Sequence, residues 1–167
     1  MMQSWSQRPV EEANLFNPAF LGALAYEFIK SFETDDESGA SIFLVLLALA
    51  ISLHSKSRKR LPSTTINNLY NWIKENQDLQ IGFAERTENL WPYVREAIIF
   101  AVAQKRLSMG SGHNLKRGQK KATFTPSFID ETSYEIRGIV ESSRFLGRWF
   151  TKSGSESAIA AAFGVKP

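Results

Sequence analysis

The chain contains no cysteine, which excludes disulfide bonds, thiolate metal sites and a cysteine nucleophile. It has two histidines, His54 and His113, which lie in different segments and form no HExxH-type pattern. No GxxxxGK[ST] sequence is present to hold a nucleotide, and the GSG triplet at residues 110–112 is not a nucleophile elbow. From these absences we expect no metal, no cofactor and no catalytic residues, and therefore a protein that is not an enzyme.

Long hydrophobic runs are also missing. The longest, Ile42–Leu53, is much shorter than the ~20 apolar residues that a membrane-spanning helix needs, so it predicts a core helix that is buried on all sides. Residues 1–12 have no apolar core of the kind that a secretory signal carries. We therefore expect a cytoplasmic protein that does not associate with membranes.

What the chain does contain is typical of a single globular domain. Its 167 residues are 43% hydrophobic and 12% aromatic, which is enough for one core and too little for two. We divide the expected domain, residues 1–167, into a helical core with a wing at residues 18–125 and C-terminal docking helices at residues 126–167. The acidic segment at residues 34–39 could bind a divalent cation, but a solvated loop is the favoured interpretation.

Hydrophobic periodicity predicts the first two helices of the core. Asn17 and Pro18 have the identities of an N-cap and a first helical residue, and the apolar residues that follow indicate an amphipathic helix over residues 18–33. Ser41 caps the buried helix, which we expect to run over residues 42–54. A charged His54 at its end would interact favourably with the helix dipole.

Two further helices are predicted with specific boundaries. Ser63 or Thr64 caps a helix that buries Ile66, and residues 79–90 form another. The residue before a proline disfavours the α conformation. We therefore expect Trp91 and Pro92 to interrupt this helix and a new helix to run over residues 92–107.

The segment after these helices is glycine-rich and basic, GSGHNLKRGQKK at residues 110–121, and it lies between two strand-like tetrapeptides, RLSM and ATFT. Helices followed by a long-tipped hairpin are the order of a winged helix-turn-helix. Thr132 and Glu135 form a capping box for a long helix over about residues 132–152. The predicted fold class is mainly α: a winged-helix-like helical domain with a short β-hairpin and a long C-terminal helix.

Lysine and arginine are clustered, although the net charge is only +3. One cluster lies in the loop at residues 55–62 and the other at the predicted wing tip. Clustered cations of this kind can contact phosphates, and each neutralised phosphate adds a salt-dependent contribution to affinity. A solvated loop is the alternative in both places. The residues proposed to contact nucleic acid or an acidic partner are Lys56, Arg58, Lys59, Arg60, Lys116, Arg117, Lys120 and Lys121.

The carboxyl-terminal segment combines large aromatic side chains with cations. Leaving a large apolar side chain in water forfeits about 1.5–3 kcal/mol, so we expect this segment to dock on its own domain or on a partner. Tryptophan beside arginine is common at interface hot spots. The alternative is that Trp149 belongs to the core and the arginines are solvated. The residues proposed for partner binding are Arg144, Phe145, Arg148, Trp149 and Phe150.

Several short patterns resemble those of a known family. They are R-P-x-E-E-A-N-L-x-N-P-A-F at residues 8–20, G-F-A-E-R at 82–86, Y-V-R-E-A at 93–97, F-L-G-R-W-F at 145–150 and G-V-K-P at 164–167. Together they resemble the middle component of bacterial three-component ABC systems, of which the Lamassu antiphage defence systems are the best-known example. The resemblance runs from about residue 8 to residue 167 and is poor through the basic stretch at residues 110–121.

The resemblance implies a non-catalytic adaptor subunit. Its implied partners are an SMC-like ABC ATPase and a separate effector, often a nuclease, which the adaptor would help to hold inactive until foreign or aberrant DNA is sensed. DNA contact within that complex is an expectation that comes from the basic clusters rather than from the resemblance. The residues leave one alternative open, a free-standing winged-helix DNA-binding regulator. Such a regulator usually reads its site as a symmetric dimer, and because the sequence has no long zipper-like helix, we do not expect an obligate homodimer.

Overall fold

Helices form most of this computed structural model, which describes Gln7 and residues 16–166. The same part of the chain contains one two-stranded antiparallel sheet. Short 3₁₀ turns lie at Gln77–Gln80 and Ser111–His113. The elements in chain order are α1 (Pro18–Phe32), α2 (Ile42–Leu53), α3 (Ser55–Lys59), α4 (Leu69–Glu75), α5 (Phe83–Ala103), β1 (Leu107–Met109), β2 (Leu115–Arg117), α6 (Pro126–Glu131), α7 (Tyr134–Thr151) and α8 (Glu156–Ala162).

Helix α1 is the centre of the core, because it packs against both α7 and α5. The ring of Phe28 on α1 meets the ring of Phe150 on α7 edge-on, with 5.9 Å between the ring centroids. Gly147 makes this close approach possible, since a Cβ at that position would lie 2.5 Å from the carbonyl oxygen of Phe28. The absence of a side chain at Gly147 therefore allows α1 and α7 to pack closely against each other.

Two helix starts that the sequence predicted are confirmed. Asn17 caps α1, and its Oδ1 accepts a hydrogen bond from the backbone N–H of Ala19 at 2.8 Å, with Pro18 at the first helical position. Ser41 caps α2, and its Oγ accepts a hydrogen bond from the backbone N–H of Leu44 at 3.1 Å. Residues 8–15, the first part of the amino-terminal motif, lie outside the described residues.

The predicted helix start at Ser63 or Thr64 is wrong. Helix α4 begins at Leu69, and its cap is Asn68, whose side-chain oxygen accepts the backbone N–H two residues further on at 2.9 Å. Ile66, which we assigned to a buried face, is 91% exposed. Serine, threonine and asparagine are all good N-caps, so several residues between 63 and 68 could begin a helix. The start that is used is the one at which the first helical residue, Leu69, is buried.

The predicted break at Trp91 and Pro92 is also wrong, because α5 runs without interruption through Pro92. Leu90 and Val94, one on each side of the proline, are both buried in the same core. Proline inside a helix removes one hydrogen bond and crowds the preceding turn, at a cost of about 3 kcal/mol or more. Burying large apolar residues on both sides contributes about 1.5–3 kcal/mol each, so the packing outweighs the local preference.

His54 lies at a junction of two helices rather than at a simple helix end. It follows α2 and caps α3, where its Nδ1 accepts a hydrogen bond from the backbone N–H of Ser57 at 3.3 Å. Burial lowers the pKa of His54, and the nearby cations Arg86, Lys56 and Arg58 lower it further. A neutral ring is needed to accept this bond, so the lowered pKa of His54 favours its role as the cap of α3. The predicted loop at residues 55–62 is corrected in part, because α3 occupies its first half.

The hairpin is confirmed, but its second strand lies elsewhere in the sequence than predicted. β1 falls within RLSM as expected, and it pairs with β2 in the register Leu107 to Arg117 and Met109 to Leu115. The tetrapeptide ATFT is not a strand. Leu115 explains the difference, because it is fully buried and exchanges backbone hydrogen bonds with Ala40 at 2.7 and 3.1 Å. The loop between the strands is consequently residues 110–114, much shorter than the predicted wing tip.

The long C-terminal helix is present as α7, with a different cap. Ser133 rather than Thr132 is the N-cap, and its Oγ accepts the backbone N–H of Ile136 at 3.2 Å. The fold class is mainly helical with a short antiparallel hairpin and a long C-terminal helix, as the sequence predicted. The comparison with a winged helix and the division at residue 125 stay predictions.

Candidate functional site

The aromatic residues near the carboxyl terminus belong to the core. Trp149 and Phe150 are each 1% exposed, and Phe145 is 9% exposed. The Trp149 ring packs edge-on against Trp72 with 5.7 Å between centroids, and its Nε1 donates a hydrogen bond to the carbonyl oxygen of Asn67 at 2.6 Å. The structure therefore shows the alternative that the sequence left open for Trp149. Partner binding by these residues stays a prediction, and Trp149 and Phe150 offer almost no surface for it.

Arg144 holds an ion pair inside the protein rather than pointing freely into solvent. Its Nε lies 2.9 Å from Oε2 of Glu27, and its Nη2 lies 3.1 Å from Oε1. Glu27 is 1% exposed and also accepts hydrogen bonds from the Thr123 hydroxyl and from the backbone N–H of Phe124. Burial alone would raise the pKa of Glu27, but these donors lower it more, so its pKa lies below the ordinary value. The network ties α1, the segment after the hairpin and α7 together.

Sequence reasoning missed Glu27. The signal available was a single acidic residue between aromatic and apolar neighbours, in AYEFI of α1. A buried carboxylate needs a cation or several donors, and Arg144 is 117 positions away in the chain. Nothing in the local pattern identifies that partner.

Most cations of the predicted 55–60 cluster are already neutralised. Lys56 and Arg60 both contact Asp78, at 3.0 Å and 2.8 Å, and the hydrogen bonds from these two cations lower the pKa of that carboxyl group. The Arg58 side chain is 8% exposed, donates to the carbonyl oxygen of Ser52 at 2.8 Å and lies 3.6 Å from a carboxylate oxygen on α7. Within residues 16–166, Lys59 alone of these four cations has no ion-pair partner.

A groove between α3 and α7 brings residues of two predicted sets together. We call it the α3–α7 groove; its volume is about 790 Å³, and it is lined by α3, the loop at residues 61–63 and one side of α7. Arg58 crosses α7 at Gly138, where a Cβ would lie 3.4 Å from its Nε. The predicted site residues that line the groove are Arg58, Lys59, Arg144, Phe145 and Arg148.

The groove contains both paired and unpaired cations. Arg58 and Arg144 are held by acidic partners, whereas Lys59 and Arg148 have no ion-pair partner in the part of the chain that the structure describes. Tyr134 is 86% exposed at the start of α7 and lines the same groove. Tyr134 and Arg148 lie at opposite ends of the groove, about 21 Å apart along α7, and Glu135 and Glu141 line the groove as well. An exposed tyrosine, cations and carboxylates along one groove are the mixed chemistry of a protein interface. Sequence reasoning missed Tyr134, which follows the cap residue Ser133.

The hairpin cations lie apart from this groove, since none of them lines it. Arg117 is neutralised by Glu33, with 2.5 Å between Nε and Oε2. Lys116, Lys120 and Lys121 have no ion-pair partner among residues 16–166. The cations of the 55–60 cluster are therefore largely neutralised by acidic partners, whereas those of the hairpin are largely unpaired.

A second concave surface is apolar. It has a volume of about 680 Å³ and lies between the start of α2 and the middle of α5, with Ile42, Phe43 and Trp91 among its lining residues.

Among residues 16–166, no group of His, Asp or Glu side chains is arranged to hold a metal ion. No helix in that same range has the length and hydrophobicity to cross a membrane.

A comparison with protein families shows the family to which this chain belongs. The family model described as ABC-three component (ABC-3C) system Middle Component 3 matches residues 5–167. The chain belongs to this family. The suspected relationship to middle components of three-component ABC systems is therefore confirmed. No curated protein and no solved structure is significantly similar to this middle component.

Proposed function

We propose that this middle component is a non-catalytic adaptor that bridges an SMC-like ABC ATPase and a separate effector, often a nuclease, in a cytoplasmic antiphage defence complex of the Lamassu type. In this proposal the adaptor helps to hold the effector inactive until foreign DNA is sensed. The observation that carries the proposal is the family match over residues 5–167. A chain whose family is named as one component of three is expected to act through its partners.

The α3–α7 groove is the docking surface we propose for one of those partners. Its rim combines an exposed aromatic, Tyr134, with the unpaired cations Lys59 and Arg148. Aromatic and arginine side chains carry most of the energy in protein interfaces, where replacing one can cost about 2 kcal/mol or more. Arg144 and Phe145 then support the floor of the groove.

The experiment is to co-express the chain with the proteins encoded beside it and to weigh the product by native mass spectrometry. We expect a complex that contains an SMC-like ATPase and an effector, and we expect the isolated chain to have neither ATPase nor nuclease activity. If the chain stays alone in the presence of its encoded neighbours, the adaptor proposal is wrong.

A double variant tests the groove within that complex. Tyr134→Ala with Arg148→Glu removes the exposed aromatic and reverses one unpaired charge. Ile81→Ala with Lys74→Glu is the matched control, because Ile81 is 78% exposed, Lys74 is exposed, and neither lines the groove. We expect the groove variant to lose one partner and the control to keep both. Normal assembly of the groove variant would place the docking surface elsewhere and leave the adaptor proposal intact.

A further inference from the structure

Four cations from two separate stretches of the chain come together at the base of the hairpin, and a fifth, Lys116, lies within β2. The backbone N–H of Gly118 donates to the carbonyl oxygen of Arg106 at 2.8 Å, and that of Lys120 donates to the carbonyl oxygen of Lys105 at 2.9 Å. These bonds hold the turn before β1 beside the segment that follows β2. We call the resulting surface the hairpin patch; its residues are Lys105, Arg106, Lys116, Lys120 and Lys121.

The position of the patch differs from the predicted wing tip. Lys116 lies within β2, and Lys120 follows that strand, so the cations lie along the strand and at the base of the hairpin. The loop at the tip is residues 110–114, which contain no lysine or arginine. The acidic segment at residues 34–37 ends close to Lys116: Asn114 donates to the carbonyl oxygen of Ser38 at 3.4 Å, and a Cβ at Gly39 would lie 2.9 Å from the Cγ of Lys116. The other four cations of the patch lie at the base of the hairpin.

The patch is not neutralised by the protein itself. None of its five cations has an ion-pair partner among the residues that the structure describes, and all of them except the half-buried Lys116 are exposed. Residues 97–129 contain no aspartate and no glutamate. By contrast, Arg117 in the same hairpin is paired with Glu33, and Lys56 and Arg60 share Asp78. The hairpin patch is therefore a concentration of positive charge that its own fold leaves without counter-charge.

The chemistry of the patch favours a polyanion over a protein surface. Protein interfaces are enriched in aromatic residues and depleted in lysine. The patch is rich in lysine, and residues 103–122 contain no phenylalanine, tyrosine or tryptophan. The flanking residues Leu107 and Leu115 are buried, and Met109 is an exposed apolar side chain nearby. Lysine suits the phosphate backbone, to which it binds as a point charge, and four of the five patch cations are lysines. Reading a base needs a bidentate or stacked group, and Arg106 is the one side chain of the patch that could make a bidentate contact.

We propose that the hairpin patch binds the phosphate backbone of duplex DNA without sequence preference. This inference goes beyond the adaptor proposal and does not depend on it, because it concerns a surface of the isolated chain. Each neutralised phosphate contributes about 0.9 to the slope of log Kd against log salt. Five contacts would give a slope of about 4.5, and the affinity of so few contacts should fall in the non-specific range of roughly 10⁻⁴–10⁻⁶ M.

The test is fluorescence anisotropy of the full chain with a short labelled duplex of mixed sequence, titrated at several salt concentrations. The triple variant Lys105→Gln, Lys120→Gln and Lys121→Gln changes only exposed side chains of the patch. We expect its salt slope to be about 2.7 smaller than that of the wild type, at 0.9 for each lost contact. Circular dichroism establishes that the variant is folded.

The matched control removes the same charge from elsewhere on the surface. Lys30→Gln, Lys74→Gln and Lys166→Gln alter three exposed lysines outside the patch, and we expect the wild-type slope to remain. A duplex of different sequence should bind equally well. The proposal is overturned if the patch variant and the control lose affinity equally. It is also overturned if the wild type binds polyglutamate but not DNA, since the surface would then recognise an acidic protein.

Discussion

Replacing Arg144 by methionine tests the ion pair that joins α1 to α7. The change keeps an apolar stem in place and leaves the carboxylate of Glu27, 1% exposed, without its cation. Removing one partner of a buried ion pair costs about 3–5 kcal/mol. The Arg144 side chain is 30% exposed, and Glu27 keeps its hydrogen bonds from Thr123 and Phe124. We therefore expect the free energy of unfolding to fall by about 3 kcal/mol, the lower end of that range. A fall of this size lowers the Tm by roughly 6–12 °C for a chain of this length.

The loss should depend on pH. In the wild type the pKa of Glu27 lies below its ordinary value of 4.5, because the donors around it outweigh burial. A folded pKa below the unfolded one means that Glu27 contributes stability above the unfolded pKa, and that this contribution is lost as the pH falls through the folded pKa. In Arg144→Met, burial is no longer offset by the guanidinium, so the pKa rises. The loss caused by the substitution should therefore be larger at about pH 7 than at about pH 4.

Urea unfolding followed by circular dichroism at both pH values measures these effects. Glu27→Gln combined with Arg144→Met is the control, because glutamine keeps an acceptor for Thr123 and Phe124 and leaves no buried charge. We expect this double variant to be more stable than Arg144→Met alone. The reasoning is refuted if Arg144→Met costs less than about 1 kcal/mol, if its cost is the same at both pH values, or if adding Glu27→Gln destabilises it further.

Four substitutions in α7 give the other predictions. Gly147→Ala should destabilise the protein by about 1–3 kcal/mol, because its Cβ would lie 2.5 Å from a backbone oxygen of α1. Gly138→Ala in the same helix should be neutral or stabilising by about 0.5–1 kcal/mol, since its nearest new contact is 3.4 Å away; thermal unfolding of both variants checks the pair, and equal shifts would contradict the packing argument. Trp149→Ala should cost about 3–5 kcal/mol, because the side chain is 1% exposed. Circular dichroism beside a pull-down with the encoded partners separates loss of folding from loss of assembly, and a stable, fully helical variant would contradict its core role. Tyr134→Ala should change stability by less than about 0.5 kcal/mol, because Tyr134 is 86% exposed; a larger shift in urea unfolding would mean that the residue packs against the fold.

The features that the sequence predicted well are those decided by local chemistry. An asparagine followed by proline and an apolar stripe identifies the start of α1, and a serine before a wholly apolar stretch identifies α2. The predictions that were wrong are those in which packing opposes a local rule. Pro92 lies inside α5 because the residues on both sides of it face the same core. Leu115 is buried within β2, a strand that the basic, glycine-rich sequence around it does not predict.

The candidate site shows the same division. Basic residues could be located as clusters, but their partners could not, because Arg117 meets Glu33 from 84 positions away and Arg60 meets Asp78 from 18. Pairing decides whether a cation stabilises the fold or remains available to a ligand. The exposed Tyr134 was not recognised because its exposure depends on how α7 packs against α1, and the sequence around it gives no sign of that.

The distribution of unpaired charge also explains how one small chain could contact two kinds of partner. Lys59 and Arg148 face a groove that contains acidic residues, an exposed aromatic and a proline, which is the mixed chemistry of a protein interface. The hairpin patch contains cations without acids or aromatics, which is the chemistry of a phosphate-binding surface. Because the two surfaces share no residue, substitutions in one should leave the other intact. Loss of assembly without loss of the salt slope, and the reverse, are therefore separable outcomes, and a single variant that abolished both would mean that the two sets of cations belong to one site.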